Sequence, residues 1–347
     1  MKRRVCAACL ALICCICLSA CTAESVEETP SAESFSFRMD TWIQQRWYGE
    51  LAQQTCDEID AALGELENQI SLYSDSSEIA QINAAAGESF VPVSDTVYQL
   101  LQKSIQICEE TGGLFDITVA PLAILWNVTG DSPSVPSDEE IAAAQSLVDY
   151  RKVLFDDENR AVMLADAGMK LDLGGAAKGM AAGMMREIAV KNNVSGFLSI
   201  GGNMLVVGTK PDQSDFSVGI RDPRGESTDY FATVTLDGYT MATTGDYERY
   251  FEQDGVRYHH VIDPFTGYPS TQDLISVTVI SEDGLLADCL STAIFLQGSE
   301  CLSDYFSRSD CMVLAVTDTF EVYASPDFWE RMTPLEGTKY TFRSDGI

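Results

Sequence analysis

Residues 169–190 read MKLDLGGAAKGMAAGMMREIAV. An apolar start, the adjacent glycines Gly174 and Gly175, and a long alanine- and methionine-rich run predict a strand, a tight glycine turn and a helix. The next stretch, GFLSIGGNMLVVG over residues 196–208, follows a different pattern: strand, Gly-Gly-Asn turn, strand. A strand–helix unit followed at once by a hairpin breaks the regular alternation of a doubly wound sheet. The expected fold class is therefore α+β, with mixed, largely antiparallel sheets and packed helices.

The flanks agree. Downstream, LISVTVIS (274–281) reads as a strand, GLLADCLSTAIFLQG (284–298) as a helix and CMVLAVTDTFEVYAS (311–325) as a hairpin. Upstream, RMDTWIQQRWYG (38–49) reads as a strand opening the folded part. Residues 50–70 place Ile59, Leu63, Leu66 and Ile70 at helical spacing. Ser94 caps a second helix, DTVYQLLQKSIQICEET, which Gly112 and Gly113 end. Ser137 and Glu140 have capping-box spacing. KVLFDDENRAVML (152–164) reads as a hairpin.

The chain has 347 residues, 46% hydrophobic and 22% charged, enough for one large or two modest domains with a true core. Its formal net charge of −31 argues against nucleic acid as a partner and against a broad electrostatic hold on anionic lipid. A phosphate-bearing ligand would need backbone N–H groups, a few placed cations or a metal. Lys2, Arg3 and Arg4, then the apolar VCAACLALICCIC (5–17) and LSAC (18–21), have the form of a bacterial lipoprotein signal. The expected organisation is a signal peptide over 1–20, lipid on Cys21, a disordered acidic tether over 21–36 and one domain over 37–335. The protein is then held on the bacterial cell membrane, facing outside the cytoplasm. Of 11 cysteines, Cys56, Cys108, Cys289, Cys301 and Cys311 lie beyond the leader. They show no CxxC spacing and read as small buried hydrophobes.

Three stretches can carry chemistry. DLGGAAKG (172–179) is either an anion site, with free N–H groups at a helix start and Lys178 nearby, or a plain tight turn with an exposed lysine. It lacks the Walker A ending and the GxGxxG spacing. In ADCLST, Asp288 and Thr292 stand four apart, on one helix face. They are hard oxygen donors suited to magnesium, unless Thr292 simply bonds a backbone carbonyl. TTGDYERYF (243–251) and YHHVIDPFTGYPS (258–270) flank the turn signal EQDG, so the histidines should begin a strand paired back on YERYF. The chain has two histidines, His259 and His260. Strand alternation sends them to opposite faces, which disfavours shared zinc. One histidine then serves as a general base in a cleft, and the other is a surface residue.

Taken in order, GGLFDITVAPL (112–122), DLGGAAKG, SIGGNMLVVG, TGDYERYF, HHVIDPFTGYP and ADCLSTAIFLQG resemble the FAD:protein FMN transferase (ApbE) family, over Phe37 to Ser325. The resemblance implies a two-lobed architecture that binds FAD and Mg2+. It implies transfer of FMN to a Thr or Ser hydroxyl of an acceptor flavoprotein, a membrane electron-transfer subunit, with release of AMP. It places FAD contacts on Met39, Tyr73, Leu114, Phe115, Asp116, Asp172, Lys178 and Ile262. Metal positions fall on Gly175, through its carbonyl, and on Asp288 and Thr292. The proton acceptor falls on His260. Asp40, Leu114 and Ala176 depart from the residues common at those positions. The acceptor signature D-x-x-[ST]-G-A-[ST] is not found in this chain, which makes it a donor enzyme and not a flavin carrier. A magnesium-dependent FAD pyrophosphatase and a non-catalytic flavin-binding lipoprotein are the alternatives.

Overall fold

The computed structural model describes residues 29–72 and 74–343. The expected leader, Cys21 and Tyr73 lie outside the described residues. One nine-stranded sheet organises the rest. Its spatial order is Ser31–Arg38, Thr41–Tyr48, Ser195–Ile200, Asn203–Val207, Thr240–Gly245, Leu274–Ser281, Met312–Thr317, Glu321–Ala324 and Thr341–Arg343. Neighbours are antiparallel except the last pair, which is parallel. The α+β expectation holds.

Side chains alternate across a strand, so a central strand can serve two cores. In Met312–Thr317, Val313 and Ala315 join one cluster, while Met312, Leu314 and Val316 join the other. The first core is covered by the helices Ala52–Ile70, Ala177–Lys191 and Gly284–Gln297. The second is covered by a three-stranded sheet of Phe216–Arg221, Tyr230–Leu236 and Met332–Pro334, with the helix Pro326–Arg331. The contacts from Ser31 onward form a single compact unit, so the two lobes expected from the resemblance are two cores sharing one sheet.

Gly284–Gln297 is apolar on nearly every side because it is packed from nearly every side. Its close partner is Ala177–Lys191, where Gly179 and Gly284 permit backbone contact: a Cβ on Gly179 would sit 2.1 Å from the Gly284 carbonyl oxygen. A third, smaller cluster gathers Leu122, Trp126, Ile141 and Ile262 beside the hairpin of Tyr250–Gln253 and Val256–His259. The five cysteines beyond the leader are all free and buried.

The caps form as read. Ser94 accepts from Val97 N, and Ser137 and Glu140 close a full capping box. Three boundaries differ. The first strand begins at Ser31, inside the stretch expected as tether, and Thr341–Arg343 extends the domain past residue 335. The inward positions of the first strand are Ala32, Ser34, Ser36 and Arg38, so no large apolar residue announced it. Its hold comes from sheet pairing and from the Arg38–Asp60 ion pair at 2.9 Å. The strand expected before Gly174 is reduced to an isolated bridge between Lys170 and Val119. Residues 169–172 run beside the 112–122 loop, where Asp172 N donates to Ile117 O at 2.8 Å, and not inside a sheet.

Candidate functional site

The glycine loop is built by its own side chains. Asp172 Oδ1 accepts from Gly174 N at 2.7 Å, an Asx-type turn that starts the reversal. Ala176 N and Ala177 N then donate to Leu173 O at 3.0 and 2.8 Å, opening the helix. Lys178 reaches back, its Nζ donating to Gly174 O at 2.8 Å. Gly175 is wedged in: a Cβ there would lie 3.2 Å from Phe115 Cε2 and 3.6 Å from Thr292 Oγ1. The loop therefore meets Phe115 on one side and the buried helix on the other.

Asp288 is 5% exposed. Its Oδ2 accepts from Gly179 N at 2.9 Å, and among the described residues no cation pairs with it. A buried carboxylate with one backbone donor is under-compensated, and a bound cation would remedy that. Thr292 Oγ1 lies 3.2 Å from Thr244 Oγ1, which is 2.8 Å from Ser291 Oγ. Ser291, not Thr292, bonds back to the helix, donating to Asp288 O at 2.8 Å. Thr292 thus keeps its hydroxyl on the Gly175 side. A carboxylate, a hydroxyl and a nearby backbone make a hard-oxygen donor set that fits magnesium.

The histidines separate as alternation requires, with their surroundings reversed from expectation. His259 ends the strand Val256–His259 instead of beginning one, opposite Tyr250, and is buried. The idea that the second histidine is a surface residue fails, because its ring faces the core and Phe295. His260 is the solvent-exposed one. Its Nδ1 lies 3.3 Å from Arg249 O, which also accepts His260 N–H at 3.1 Å. A carbonyl can only accept, so the neutral ring carries its proton on Nδ1 and leaves the Nε2 lone pair free. Desolvation by the surrounding protein, with positive charge from Arg249 and Lys178, pulls its pKa down to about 4. The influence of Lys178 puts the glycine loop within electrostatic reach of His260.

The remaining expected contacts divide. Met39 is a left-handed residue at the tip of the edge hairpin, with φ 51°, and its N–H donates to Glu67 Oε1 at 2.6 Å. Leu114 is half-buried beside the buried Phe115. Asp116 turns inward: its carboxylate accepts from Thr118 N, Thr118 Oγ1 and Tyr150 N at 2.7, 2.6 and 3.0 Å. Burial raises its pKa against those hydrogen bonds. Its side chain shapes the loop and is spent on it. Ile262 packs into the Trp126 cluster, so a ligand would meet its backbone. Sequence reasoning passed over Thr244 and Ser291. The only signal was their adjacency to Gly245 and Thr292.

Proteins of known class share this fold. A protein named FAD:protein FMN transferase from Treponema pallidum is 34% identical over 258 residues, covering 70% of this chain and 71% of its own. A Klebsiella pneumoniae protein of the same name is 34% identical over 263 residues, covering 75% and 81%. The crystal structure of the ApbE protein from Thermotoga maritima superposes with a TM-score of 0.80 at 34% identity, over 87% of this chain and 99% of its own. The class is that of a transferase. A family model described as the ApbE family matches residues 39–315, and the chain belongs to that family.

Proposed function

We propose that this protein moves the FMN moiety of FAD to a threonine or serine hydroxyl of an acceptor flavoprotein, with magnesium, releasing AMP. The observation that carries this reading is the under-compensated Asp288 carboxylate, bonded to the glycine-loop helix at Gly179 N and one turn from Thr292. The flavin is that of its relatives, FAD:protein FMN transferases.

Asp288, Thr292 and the Gly175 carbonyl would hold the metal. Bound there, magnesium would neutralise charge on the pyrophosphate. Lys178 and the N–H groups that open the Ala177–Lys191 helix face the same anion. Asp172 keeps the loop turned, and Phe115 against Gly175 gives the flavin an apolar wall. Met39, Tyr73, Leu114 and the Ile262 backbone complete the FAD contacts. His260 Nε2 accepts the proton of the acceptor hydroxyl while Nδ1–H stays on Arg249 O. The hydroxyl oxygen bonds to the FMN phosphorus, the pyrophosphate P–O bond breaks, and AMP leaves with the electron pair.

The exposure of His260 favours one secondary reading. Water at Nε2 in place of the acceptor hydroxyl yields free FMN and AMP. Incubation with FAD, magnesium and a candidate acceptor separates the two. A gain of one FMN on a single Thr or Ser, read by mass spectrometry, supports transfer. FMN and AMP without acceptor labelling reassigns the protein as a pyrophosphatase. The acceptor we propose is a membrane electron-transfer subunit, reached from a lipid anchor on Cys21. Detergent-phase partitioning that survives Cys21→Ser would overturn the anchor.

A further inference from the structure

We infer that His259 is a positioning residue, clamping the His260 loop to the helix that carries Asp288 and Thr292. This rests on the flavin-transfer reading of the site but on separate geometry. Both ring nitrogens of His259 are committed. Nδ1 accepts from Val261 N at 3.2 Å, and Nε2 lies 3.0 Å from Ser270 O. An N–H donor on one nitrogen and a carbonyl on the other admit a single neutral tautomer, with the proton on Nε2. It is the opposite tautomer from that of His260.

The two bonds bracket the loop. Val261 follows His260 directly, and Ser270 lies at the far end of the turn formed by Asp263–Gly267. Ser270 N also donates to Val261 O at 3.0 Å. Residues 261–270 thus close on themselves with the His259 ring as the cross-brace. The same ring stands edge-on to Phe295, centroids 5.4 Å apart at 85°. Phe295 is three residues beyond Thr292 on Gly284–Gln297, so it lies one turn along the helix from the candidate metal position. The distance between the proton acceptor and the metal side of the site therefore runs through this ring. His259 has no free lone pair or solvent access with which to act as a base itself.

The test uses the histidine count. With two histidines in the chain, imidazole nitrogen NMR reads both rings. His259→Phe keeps a ring against Phe295 and removes both hydrogen bonds. His259→Asn places an amide oxygen where Nδ1 accepts from Val261. In the wild type, His260 should report the Nδ1–H tautomer. In His259→Phe it should report a mixture, with kcat for transfer down by about 10- to 100-fold and KM for FAD changed by less than about threefold. His259→Asn should recover at least half of the lost kcat on a logarithmic scale. A folded His259→Phe protein with an unchanged His260 tautomer and kcat within about twofold of wild type would overturn the proposal. If His259→Phe does not fold, His259→Asn decides instead: a mixed His260 tautomer there with full kcat overturns the proposal. A wild-type protein that transfers no flavin would defeat the functional reading, while the tautomer comparison would still judge the clamp.

Discussion

A hydrogen bond between Gly179 and Asp288 ties the two central helices: the Gly179 N–H donates to Asp288 Oδ2 at 2.9 Å, and a Cβ on Gly179 would stand 2.6 Å from Asp288 Cβ. The glycine that lets the helices touch is also the donor that orients the carboxylate. Packing and chemistry are therefore not separable at this position, and substitutions here should report on both.

Adding one methyl group at Gly179 and at Gly183 should have opposite effects. At Gly179 the new Cβ meets backbone, so Gly179→Ala should destabilise by about 1–3 kcal/mol and displace Asp288. At Gly183, in the same helix, nothing lies within 4 Å of the Cβ position. Gly183→Ala should stabilise by about 0.5–1 kcal/mol, through helix propensity alone. Denaturant unfolding of the two variants checks this, and equal effects would contradict the close packing.

Asp288→Asn keeps an oxygen for Gly179 N and removes the uncompensated charge. The metal-free variant should be more stable than wild type, by on the order of 1 kcal/mol. Magnesium should no longer raise its melting temperature or support transfer. Thermal melts with and without magnesium give both answers. A magnesium-dependent shift that persists in the variant rules out Asp288 as a ligand.

Acid should destabilise the fold before the carboxylates titrate. Burial lowers the pKa of His259, and His260 is lowered to about 4. In the unfolded chain both titrate near the usual value of about 6.5. Between pH 6.5 and 4 the unfolded state then binds more protons, so stability falls as pH falls through that window. Lowered carboxylates such as Asp60, held by Arg38, add a further loss as pH drops below their ordinary range. Asp116, whose pKa is raised, works in the other direction. Unfolding free energies across pH 4–7 should decline more gently in His259→Phe than in the wild type.

The pH–rate profile should share this signature. On the proposed mechanism the neutral form of His260 accepts the proton, and its lowered pKa keeps it neutral well below pH 6. The kcat/KM for FAD should hold level down to about pH 5 and fall below that. An acid limb with its midpoint at the ordinary histidine value would show that the ring is not desolvated in solution.

Much of the fold was legible because local rules and tertiary packing agree. Ser94, Ser137 and Glu140 cap where their side chains can reach backbone N–H groups, whatever the surroundings. The first strand of the hairpin expected over 311–325 forms as Met312–Thr317, a continuous apolar run buried on both faces. The first strand stayed hidden because its inward residues are small or charged, and Asp60, which pairs with Arg38, lies on the following helix.

The sequence by itself determined most element types, the separation of His259 from His260, and the order of motifs that carries the resemblance. These depend on spacing along the backbone. Only the tertiary structure decided that His259 is the buried brace and His260 the open ring, that Asp116 is consumed by Thr118 and Tyr150, and that Thr292 leaves helix back-bonding to Ser291. Burial and hydrogen-bond partnership are properties of groups distant in sequence. A strand's period says that two residues face opposite ways, but not which way the core lies.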